Sequence, residues 1–141
     1  MAVRLRSRHS IGGARYVKCN IAELPYAAAL ERTRSVLKDA GFGIITEIDV
    51  TETLKQKLGA EFRQYRILGA CNPALAFEAL KAEDKVGTML PCNVIVQEVP
   101  GGGSEVAAID PVASMQAIDN PELARLAGRV RDLLKGVIDR L

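Results

Sequence analysis

The chain has no Trp, and its aromatic residues are only three Phe (Phe42, Phe62, Phe77) and three Tyr (Tyr16, Tyr26, Tyr65). A core built here must come from Leu, Ile, Val and Ala. The single histidine is His9, which falls in the N-terminal leader, so a Cys-His or Ser-His catalytic pair is not expected within the fold. No run approaches the ~18 apolar residues that a membrane-spanning helix needs. The basic start is not followed by an apolar stretch, so it does not read as a secretory signal. Gly101–Gly103 is not followed by a Gly-Lys-Ser/Thr element, and no Gly-x-Gly-x-x-Gly is present. Both common phosphate-binding loops are therefore missing. Cysteines number three, Cys19, Cys71 and Cys92. An odd count without a signal points to reduced thiols and a cytoplasmic location.

What is present is an ordinary globular composition: 141 residues, 48% apolar and 26% charged, the size of one domain. The net charge of +2 is unevenly spread. Arg4, Arg6, Arg8, Arg15 and Lys18 leave 14 basic against 17 acidic groups elsewhere. A mildly acidic fold argues against a nucleic-acid surface. Residues 1–14 lack periodicity and read as a flexible basic leader, and 15–141 as a single α+β domain.

Along that domain, RYVKCNI (15–21) alternates like a strand and places Cys19 on the face of Val17 and Ile21. Pro25 opens a helix whose face is Ala27, Leu30, Val36, Leu37 and Ala40, stopped by Gly41. FGIITEIDV (42–50) is the next strand. Thr51 then caps a short helix over 53–59. EFRQYRILGAC (61–71) is a third strand, followed by Asn72 as N-cap and Pro73 as first residue of a helix over 73–83. MLPCNVIVQEV (89–99) and SEVAAID (104–110) form a hairpin across Pro100 and the glycines. A short helix follows around 113–117. The last helix starts at Pro121, capped by Asn120 or Asp119. Its apolar face is Leu123, Leu126, Ala127, Val130, Leu133, Leu134, Val137 and Ile138. The order β-α-β-(short α)-β-α-β-β-α predicts a mixed or largely antiparallel sheet with helices mainly on one face.

ILGACNP (67–73), LPCN (90–93) and Asp110-Pro111 stand in this order within a run from GFGIITEIDV onward. Together they resemble the bacterial and archaeal family called domain of unknown function 302, over about residues 15–140. The resemblance implies a compact α+β fold that self-associates in the cytoplasm, and implies no particular reaction.

The candidate ligand-binding residues are Cys71, Asn72, Cys92, Asn93, Asp110 and Arg66. Cys71 ends a strand at a helix N-terminus, where the dipole and unpaired N–H groups favour thiolate. Asn93 is an unusual strand residue. Arg66 shares a strand face with Leu68 and Ala70 and could meet an anion. Asp110 either partners the site or caps a turn. Three readings stay open. The site binds a small ligand or soft metal, with Cys19, His9 or a partner chain completing a metal's ligands. The thiols pack inertly and the protein serves a structural role as a homodimer. Or Cys71 is a redox or nucleophilic group.

Overall fold

The long C-terminal periodicity explains most of the architecture, because one helix spans both halves of the core. The computed structural model describes residues 8–9, 15–21 and 23–141. Its strands are β1 (Arg8–His9), β2 (Tyr16–Ile21), β3 (Gly43–Asp49), β4 (Tyr65–Cys71), β5 (Cys92–Glu98) and β6 (Ser104–Ile109). Its α-helices are α1 (Tyr26–Asp39), α2 (Val50–Leu58), α3 (Pro73–Ala82), α4 (Pro111–Met115) and α5 (Pro121–Asp139), with a 3-10 helix over Asp84–Met89. Among the described residues no helix is long and apolar enough to cross a membrane.

The strands form one sheet in the order β1-β2-β6-β5-β4-β3, with every neighbouring pair antiparallel. The two-residue β1 falls inside the span read from the sequence as a leader. The rest of that span lies outside the described residues. Side-chain alternation gives the sheet two unlike faces. Leu68, Ala70, Cys92, Val94, Val96, Val106, Ala108 and Cys19 face α1 and α5 and form the larger core cluster with Leu30, Leu37, Leu134, Val137 and Ile138. On the other face the register aligns Ile48, Ile67, Ile95 and Ala107 in one row across four strands.

A second, smaller core cluster lies beyond the sheet end. It joins Leu75 and Ala79 of α3, Val86, Met115 of α4, and Leu123, Leu126 and Ala127 from the first half of α5. Val130, one turn further along α5, packs against both clusters. The stripe along α5 thus serves two cores in succession.

Several boundaries differ from the sequence reading, each for a local reason. The cap of α2 is Asp49, whose carboxylate accepts the Glu52 N–H at 3.0 Å. Thr51 instead donates its hydroxyl to the Arg63 carbonyl (2.7 Å) and accepts the Tyr65 N–H (3.0 Å). β4 begins at Tyr65 rather than at 61, with Gln64 joined to the end of β5 by the Glu98 N–H at 3.0 Å. The 3-10 helix was not legible, since its six residues carry no helical periodicity. Asn120, not Asp119, caps α5 through Leu123 N–H (3.1 Å), and its amide also donates to Ala82 O at 2.8 Å. Leu133 points away from the core and is 37% exposed.

Candidate functional site

The antiparallel register of β4 and β5 sets Cys92 directly opposite Ala70, so Cys71 follows that partner by one residue along β4. Both Cys-Asn segments therefore meet at one corner of the sheet. A narrow cleft opens there. Cys71, Asn72, Pro91 and Cys92 form its sheet end, Leu75, Ala76 and Ala79 of α3 one wall, and Leu126, Ala127 and Val130 of α5 another. Pro111 and Met115 of α4 and Phe42 complete it. The space open to the centre of a water molecule is about 40 Å³, room for on the order of three waters. Among the described residues no charged side chain lines it.

Local structure positions each group. Asn72 is the N-cap of α3, its amide oxygen accepting the Leu75 N–H at 3.2 Å, with Pro73 as the first helical residue. The amide nitrogen of Asn72 has no hydrogen-bond partner among the described residues. Cys71 is half-buried and Cys92 buried. Burial pushes the Cys92 thiol up to about 11, and the neighbouring Cys71 pushes in the same direction. Cys92 is thus a neutral thiol at neutral pH. Leu90-Pro91 is a cis peptide bond, and the Pro91 ring lies over Gly69 of β4.

Asp110 does not line the cleft, though its neighbour Pro111 does. Its carboxylate accepts the Val112 N–H at 2.9 Å and caps α4, while its own N–H donates to Arg15 O at 2.7 Å. It positions Pro111, which lines the cleft. The remaining two candidates lie elsewhere. Asn93 is exposed on the opposite face of the sheet from Cys92, as a period of two requires. Arg66 does share the face of Leu68 and Ala70, but it sits five residues before Cys71, ~17 Å along the strand. There it donates to Glu47 (2.7 Å) and Asp49 (2.9 Å), beside Tyr26 in a separate open concavity.

Cys19 is buried on β2, across β6 from β5, and does not line the cleft. Among the described residues no three His, Cys, Asp or Glu side chains come together as a metal site. The α5 residues Leu126, Ala127 and Val130 read from sequence as plain core. The one signal of a cleft is the set of small side chains, Ala70, Ala76, Ala79 and Ala127, that face one another across it.

A comparison with curated proteins gives no match. Among solved structures, a crystal structure of an uncharacterized conserved protein DUF302 from Bacillus stearothermophilus is similar to this chain. The two share 28% identity and a TM-score of 0.82, over 89% of this chain and 97% of that one. A family model, "Domain of unknown function DUF302", matches residues 17–141. The motifs, the fold and the match across nearly the whole domain agree, and the chain belongs to the DUF302 family.

Proposed function

We propose that the protein is a binding or sensing module for a small molecule, with its site in the cleft where Cys71-Asn72 and Pro91-Cys92 converge. The observation that carries this reading is the cleft's position in the seam between two core clusters, bridged on α5 by Val130. Protein interiors are normally close-packed, so an unfilled apolar seam at two Cys-Asn corners suits a ligand. Asp110 acts through Pro111, as a positioning residue. Arg66 and Asn93 are outside this site. For a soft metal, the described residues bring together Cys71 and Cys92 and no third ligand, which favours the organic ligand. Among the described residues no basic side chain lines the cleft beside Cys71 to serve thiol catalysis. This reading keeps the cysteines reduced, as in the cytoplasm.

The test is a small-molecule stabilisation screen repeated on Ala76→Trp, which fills the cleft mouth. Compounds that raise the melting temperature of the wild type and not of the variant support the site. Stabilisation that survives Ala76→Trp points to another surface.

Self-association is a second reading, favoured by one observation. The row Ile48, Ile67, Ile95 and Ala107 lies on the sheet face away from α1 and α5, with Ile48 48% exposed. A second copy packed on this face gives a homodimer. Light scattering of wild type and Ile95→Lys tests it. A dimer that becomes a monomer supports the interface, and a monomeric wild type rules it out.

A further inference from the structure

Resting on the reading of the cleft as a ligand site, we infer that its ligand is an uncharged, mainly apolar small molecule with one hydrogen-bond-accepting head, such as a hydroxyl or carbonyl oxygen. Among the described residues the walls carry no Asp, Glu, Lys, Arg or His. A charged group placed between them loses its water and gains no counter-charge, which is strongly unfavourable. Nor does the Cys92 thiol supply one. Cys92 is held protonated by its burial, with a value of about 11. Apolar atoms, by contrast, gain from every neighbour they cover.

The polar side chain that lines the cleft and can meet a head group is Asn72. The oxygen of the Asn72 amide is committed to Leu75 N–H as the α3 cap. This leaves the amide N–H₂ to donate, so the complementary ligand atom is an acceptor. The seam supplies the remaining space. The cluster formed by α3, α4 and the start of α5 is separate from the sheet core, with Val130 common to both. An apolar chain that enters can part the two clusters without breaking either. Met115, at the wall, has the flexible side chain that lets such a wall re-form.

The experiment uses three probes of equal chain length, 1-hexanol, hexanoate and hexylammonium, titrated into the full chain and followed by backbone amide NMR. Saturable shifts at Ala76, Ala79, Leu126 and Ala127 are expected with hexanol, and at least ~10-fold weaker binding there for both charged homologues. A charged probe that binds these residues as tightly as the alcohol overturns the inference and leaves the site reading standing. If none of the three moves these amides, the site reading itself fails. Asn72→Ser keeps a capping side chain and removes the amide donor. Hexanol affinity is expected to drop several-fold in this variant with the fold intact, and an unchanged affinity overturns the head-group assignment.

Discussion

Pro91 occupies the space that a side chain on Gly69 would need: a Cβ added there would lie 2.7 Å from Pro91 Cγ and would fall on the Thr46 hydroxyl. ILGACNP and LPCN are thus two halves of one contact, with the glycine of the first admitting the proline of the second. Gly69→Ala is expected to destabilise the protein by about 1–3 kcal/mol through overpacking, measured by urea denaturation. Thr46→Ala in the same chain should restore part of the loss, since it removes one of the two obstructions. A Gly69→Ala protein as stable as wild type would show that the ring can move aside.

Asn120 ties two elements together. Its oxygen caps α5 and its nitrogen donates to the last residue of α3, Ala82. Asn120→Ala should cost about 2 kcal/mol, roughly half from the cap and half from the lost bond to the Ala82 carbonyl. Asn120→Ser keeps the cap and should lose only the second half. Denaturation midpoints of the two variants check this, and equal losses would assign the whole effect to the Ala82 bond.

Glu47 sits between Arg34 and Arg66, accepting from both. Those bonds hold its carboxyl down at about 2 instead of 4.5. A depressed acid contributes stability that is present above its unfolded value and lost as pH falls through its folded one. The window is therefore pH 4.5 down to about 2. Wild type should exceed Glu47→Gln in stability near pH 6, and the gap should close toward pH 2. Because Glu47 is solvent-exposed on an edge strand, high salt should shrink the gap as well. A difference independent of pH across this window would assign the effect to something other than charge.

Much of the fold was readable because its signals are local. The 3.6-residue stripe from Leu123 to Ile138 is a helix in the structure, and Asn72-Pro73 and Asn120-Pro121 are helix starts. Thr51 misled because Asp49, two residues earlier, is an equally good cap, and the competition is settled by a partner at Arg63. The site was partly readable. Cys71 and Asn72 are assigned by their own neighbours in sequence. That Cys92 lies beside Cys71 depends on the register Ala70 opposite Cys92, a long-range pairing that no local pattern encodes. Asn93 and Arg66 show the same limit. A period of two places Asn93 on the far face. It places Arg66 on the near face, but only the strand's length shows that Arg66 is at the wrong end.

The central claim, a ligand cleft at the two Cys-Asn corners, is tested most directly by the reactivity of its half-buried thiol. The rate at which iodoacetamide alkylates Cys71 in the folded protein at pH 8 should be measured with and without saturating 1-hexanol, with the modified cysteine mapped. Cys71 should label first, because Cys92 and Cys19 are only 7% and 3% exposed and burial holds Cys92 protonated up to about pH 11. The account predicts that hexanol slows Cys71 labelling several-fold. An unchanged rate, at a concentration that saturates the amide shifts, would contradict it.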